Sequence, residues 1–270
     1  MTSTGARSGF YELPSPARAN QQPDHERSHS EQHASAELTD VSLRWSDLGL
    51  LLGCYVALVA VWFAIGKLVV DNSSINSLDQ TVADWFVTQR TPGLDVTSKW
   101  GSNLAETFVK IGLTAVIAIA MRVVWKRWRE SLMLAVPLVL EAAAFITVTY
   151  LVARPRPADQ LESSPVNSSF PSGHVAAAAV YGALVVIVFW HTRKYWIRAF
   201  VIILSIAIPV AVAVSRMYRG MHFLSDVIAG AALGVAAVAL SWWIIHRAIV
   251  RNKTDPPGSA DGNPMSGVRS

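Results

Sequence analysis

The sequence predicts an all-α membrane protein: a bundle of six transmembrane helices with a short interfacial helix between the first two spans. Of its 270 residues, 52% are hydrophobic and only 16% charged, a composition that does not suit a soluble domain of this size. Six apolar runs lie near 48–70, 108–125, 132–152, 175–190, 197–214 and 223–245. Each approaches the roughly 20 residues that cross a bilayer core. Tryptophan supplies the third observation. Trp45, Trp100, Trp125, Trp128, Trp190, Trp196, Trp242 and Trp243 all fall near the ends of these runs, as an interfacial belt requires.

Taken in order, the first run begins too late for a signal peptide and is followed by no Ala-x-Ala-like site, so it is expected to stay as a span. It holds the lone cysteine, Cys54, which excludes an internal disulfide and points to packing. Trp62, inside the same run, belongs to the core or faces lipid. After it, Leu78, Val82, Trp85, Phe86 and Val87 make an apolar helical face that stops before Thr91-Pro92-Gly93. That pattern predicts a helix on the outer membrane surface. The runs at 175–190 and 197–214 are short and leave little room for tilt.

Basic residues set the orientation. Lys126, Arg127 and Arg129 follow the second run, Arg193, Lys194 and Arg198 the fourth, and Arg247, Arg251 and Lys253 the last. By the positive-inside rule these segments and both termini are cytoplasmic. The domain limits follow: a disordered cytoplasmic tail over 1–43, the membrane domain over 44–250, and a second disordered cytoplasmic tail over 251–270. His25, His29 and His33 repeat at a spacing of four, but the polar composition around them reads as solvated tail rather than as a metal site.

Inside the spans, Glu141 stands in the middle of the third run and should face the bundle interior or a water-filled cavity. Thr149 lies about two turns further on a similar face. A polar track between them and a plain interhelical hydrogen bond both fit. Gly230 and Gly234, four apart among alanines in the last run, predict close helix contact within the bundle.

The chemistry gathers on the side away from the basic turns. Arg156-Pro157 follows the third run, Pro171-Ser172-Gly173-His174 opens the fourth, and Ser215-Arg216 with His222 and Asp226 links the fifth to the sixth. Arginine forks and helix-start amides suit a phosphate. His222 and Asp226 are four apart at a helix start and stack on one face, where a carboxylate on one ring nitrogen fixes the tautomer and frees the other for attack. Taken alone, the same residues also fit a capped helix entry and interfacial arginine anchors. A transporter would not need this cluster of histidines and arginines, and a metal-dependent phosphatase would want clustered carboxylates that these motifs lack.

These three motifs, in this order, resemble the type-2 phosphatidic acid phosphatase family, the integral-membrane relatives of acid phosphatases and vanadium haloperoxidases. The likeness spans about 48–247. The family pattern is Lys-x6-Arg-Pro, Pro-Ser-Gly-His and Ser-Arg-x5-His-x3-Asp. The second and third parts are complete here, whereas Thr149 stands where the first part has lysine. The resemblance implies that His222 is a nucleophile forming a phosphohistidine, with Asp226 behind it. It implies that His174 protonates the leaving oxygen and then activates water, and that Arg156, Arg216, Ser172 and Gly173 bind the phosphate. Either Arg154 or Arg219 supplies the missing charge, or this member is slow or has a substrate that needs less neutralisation. The implied activity is hydrolysis of a lipid phosphate or diphosphate without metal or cofactor, with membrane lipids and no nucleic acid as partners. An isoprenoid diphosphate of the undecaprenyl type is the first expectation and phosphatidate or phosphatidylglycerol phosphate the alternative. A catalytically weak lipid-phosphate binding or transport protein is the reading from another class.

Overall fold

The computed structural model describes residues 41, 43–103, 107–164 and 167–254. The expected tail with His25, His29 and His33, and the end of the chain from 255, lie outside the described residues. The regular elements among the described residues are all helical: α1 Trp45–Asp71, α2 Ser73–Thr88, α3 Pro92–Asn103, α4 Thr107–Trp125, α5 Arg129–Val152, α6 Gly173–Val180, α7 Ala183–His191, α8 Tyr195–Tyr218 and α9 Leu224–Thr254.

Five segments are long and apolar enough to cross a bilayer: α1, α5, α6 with α7 taken as one span, α8 and α9. At the place of the expected second span, the described apolar stretch is the shorter Thr114–Trp125 of α4. Leu52, Val56, Val61, Leu68, Ile203 and Val235 are exposed on these helices. Large apolar side chains left outward on long helices are what a lipid environment accepts. The fourth span is not one continuous helix, because the chain turns at Tyr181 and Gly182 between α6 and α7.

α9 is the centre of the packing. Its Ala229, Leu233 and Ala237 meet Leu58, Trp62 and Val69 of α1, Leu140, Ala144 and Val148 of α5, and Ala176 of α6. Trp62 is a core residue whose indole N–H donates to the Ala229 carbonyl at 2.9 Å. Gly230 and Gly234 do what their spacing predicts: a Cβ on either would run into the Ser172 or Ala176 carbonyl of the α6 region. The close contact is therefore inside the bundle. At the far end α9 continues to Thr254, past the limit expected at 250, because Arg251 forks onto the buried Asp47 of α1 with two bonds of 2.8 Å.

Two helices cap the opposite end. Asn72 breaks α1 from α2 and caps α2 by accepting from the Ile75 N–H at 3.0 Å. The apolar face read from Leu78 to Val87 is thus one side of α2. α3 was not visible as an apolar pattern, but its start carries the usual signals. Pro92 is its first residue, and Thr91 Oγ1 accepts from the Leu94 N–H at 3.3 Å.

Candidate active site

The site lies where the loop between α5 and α6, the start of α6 and the turn between α8 and α9 meet beneath α2 and α3. His222 is buried in that turn, and its Nδ1 lies 2.7 Å from the Ser169 carbonyl. A carbonyl can only accept, so the proton is on Nδ1 and the unprotonated lone pair is on Nε2. Burial, then the guanidiniums of Arg216 and Arg156, hold this imidazole well below its ordinary 6.5, and His174 adds to the same effect. The bond to Ser169 opposes them. These influences require His222, His174, Arg156 and Arg216 to share one neighbourhood, as the motifs predict.

Asp226 does not hold His222. Its Oδ1 takes Arg154 Nη1 at 2.6 Å and its Oδ2 takes the Phe223 N–H at 2.8 Å. A guanidinium outbids a neutral imidazole for a buried carboxylate, and the histidine bonds a backbone carbonyl instead. Asp226 positions the site by another route, since its own carbonyl accepts the Ser172 N–H at 3.0 Å and ties the Pro-Ser-Gly-His turn to α9. The same loop is fixed from its other end, where the Ser169 N–H donates to the Arg154 carbonyl at 2.8 Å.

Arg154 is consequently not available to a phosphate. Besides Asp226 it binds Asp79 Oδ2 at 2.8 Å, Asn76 at 3.0 Å and Ser225 at 2.8 Å, and its guanidinium lies over the Phe223 ring. It joins α2, the loop and α9 through a buried charged cluster. Asp79 was missed in the sequence, although a carboxylate three residues from Val82 and seven from Phe86 sits on the apolar face of α2 and signals a buried partner.

Arg156 is half-buried and donates to the Met221 carbonyl at 2.5 Å, next to His222. Burial and the Arg216 charge push its pKa down to about 10, with Asp226 pulling the other way. Arg156 and Arg216 thus bring two positive charges together, an arrangement that favours an anion. Ser172 is the N-cap of α6, and its buried hydroxyl has no hydrogen-bond partner among the described residues. Gly173 opens α6, and a Cβ there would come within 2.6 Å of the Phe145 ring. The glycine lets α6 begin against α5.

Thr149 and Glu141 are both buried in α5. The Thr149 hydroxyl has no hydrogen-bond partner among the described residues. Arg219 lies beside Arg216, and the two share one carboxylate, Glu162: Oε2 takes Arg216 Nη1 at 2.9 Å and Oε1 takes Arg219 Nε. Arg219 also donates to the Asp95 carbonyl and to Ser98 Oγ of α3, each at 3.1 Å. Glu162 and Ser169 sit in an irregular loop whose sequence has no periodicity, so nothing marked them in advance.

Fold and site together define an integral-membrane helix bundle with histidines and arginines gathered at one end. Residues 130–249, from α5 into α9, match the PAP2 superfamily model. Phosphatidylglycerophosphatase B of Bacillus subtilis (strain 168) is 28% identical over 181 residues, covering 65% of this chain and 87% of that protein. Undecaprenyl-diphosphatase of Sulfolobus acidocaldarius is 34% identical over 125 residues, covering 46% of this chain and 50% of that protein. The crystal structure of a PAP2-type phosphatidylglycerolphosphate phosphatase from Bacillus subtilis superposes with a TM-score of 0.64 at 24% identity, covering 72% of this chain and 96% of that one. It shares the fold.

Proposed function

We propose that this protein is a membrane lipid phosphatase that works without metal through a phosphohistidine on His222. The observation that carries the reading is the neutral imidazole of His222, its Nδ1–H committed to Ser169, set among His174, Arg156 and Arg216. In the proposed reaction Nε2 attacks phosphorus and the bond to the leaving oxygen breaks. His174 gives that oxygen its proton, then takes one from the water that cleaves the phosphohistidine. Arg156, Arg216, the Ser172 hydroxyl and the Gly173 amide spread the charge on the equatorial oxygens. Asp226 and Arg154 position these groups without touching substrate.

The short α4 completes a six-span arrangement in this reading, with both termini cytoplasmic and the site on the extracytoplasmic face. The basic clusters after the second, fourth and sixth spans support that orientation. An isoprenoid diphosphate of the undecaprenyl type is the first substrate candidate, supported by the Sulfolobus relative over its matched half. Phosphatidylglycerol phosphate is the second, favoured by a likeness that runs along 87% of the Bacillus enzyme.

The test is phosphate release by purified protein from a panel of both lipids and phosphatidate, with EDTA present and then with orthovanadate. Activity should survive EDTA and be blocked by vanadate, which mimics five-coordinate phosphorus. A strict magnesium requirement for bond breaking would contradict the mechanism.

A further inference from the structure

Glu162 occupies two arginines in the way a phosphate would. Its carboxylate presents one oxygen to Arg216 and the other to Arg219, whose side chains are only 5% and 7% exposed, while its own is 26% exposed. The arginines are fixed elements. Arg216 is in the last turn of α8, and Arg219 is anchored to the Asp95 carbonyl and Ser98 Oγ of α3. Glu162 is on an irregular loop segment, so its carboxylate is the member of the trio that can leave without unfolding a helix. Two guanidiniums, each giving one N–H to a different oxygen of one carboxylate, also match the spread of oxygens on a terminal phosphate.

Resting on the phosphate-site reading above, we infer that Arg219 is a third phosphate-binding cation, doing the work of the lysine that position 149 lacks, and that Glu162 holds its place until substrate displaces it. Two buried guanidiniums side by side, with Arg156 near Arg216, repel one another, and Glu162 offsets that charge. A doubly charged terminal phosphate carries more charge than the carboxylate and takes over both forks. Until it does, the competition lowers apparent affinity by the fraction of molecules in which the arginines are free.

The experiment measures orthovanadate binding to the full-length purified protein by equilibrium dialysis, which does not depend on turnover. Glu162→Gln removes the charge with little change of shape and should tighten vanadate binding by about threefold or more. In that background, Arg219→Gln should abolish the gain, and Arg219→Lys should restore part of it by keeping the charge without the fork. The lysine variant also serves if the glutamine variant fails to fold. In kinetics, Glu162→Gln should lower KM for a lipid phosphate with kcat little changed. Vanadate binding that Glu162→Gln leaves unchanged or weakens, with the parent binding normally, overturns this inference alone. Retention of the gain in Glu162→Gln with Arg219→Gln removes Arg219 from the site. No vanadate binding by any of the proteins, the parent included, overturns the phosphate-site reading itself.

Discussion

Nδ1 of His222 is bonded to the Ser169 carbonyl at 2.7 Å, not to a carboxylate. The tautomer that leaves Nε2 unprotonated is therefore fixed by backbone, and the imidazole is spared an anion that would raise its pKa. Burial with Arg216 and Arg156 close by holds it well below 6.5 instead. In the nucleophilic role proposed for it, an imidazole kept neutral in this way is ready at neutral pH.

The pH dependence follows with a definite sign. The acid limb of kcat/KM reports protonation of the free enzyme's base, and for His222 it should lie below pH 6.5. Arg156→Gln removes one of the depressing charges, so its slower residual activity should show a limb shifted upward. Between the folded value and 6.5 the unfolded chain binds the extra proton, so this residue's effect on stability is unfavourable as pH falls through that window and absent above it. A limb at or above 6.5 in the parent protein would contradict the electrostatics described.

Asp226→Asn separates positioning from proton relay. The substitution leaves Arg154 buried with one of its two carboxylates gone, and losing one partner of a buried pair costs about 3–5 kcal/mol. Thermal unfolding in detergent should fall accordingly, while the pH limb of the remaining activity stays in place because Ser169 still holds His222. A shifted limb with unchanged stability would restore Asp226 as the direct partner of the histidine.

Gly173→Ala tests the seat of α6. Its Cβ would meet the Phe145 ring at 2.6 Å, and overpacking of this kind costs about 1–3 kcal/mol. Both stability and activity should drop, since the displaced residues include Ser172 and His174. Phe145→Leu in the same chain should recover part of the loss, and purely additive effects would show that the ring is not the obstacle.

What the sequence made legible divides by the kind of signal. Apolar runs and tryptophan edges marked the spans because a bilayer demands long stretches of one composition. The spacing of Gly230 and Gly234 revealed a close contact for the same local reason. His222, His174, Arg156 and Arg216 were legible because they sit in ordered motifs. The partner of His222 was not, since a backbone carbonyl 53 residues away leaves no trace in side-chain identity. The fate of Arg154 was hidden because it depends on Asp79, 75 residues earlier on a different helix. Glu162 lies in a loop without period, so only the folded chain brings it to Arg216 and Arg219.

The most direct test of the central claim is to quench the reaction with labelled lipid phosphate in the steady state and locate the label on the protein. An acid-labile, base-stable phosphohistidine should form at His222 and be absent from His222→Ala. Both formation and breakdown should be slower in His174→Ala. Label trapped as strongly in His222→Ala as in the parent protein would contradict the claim.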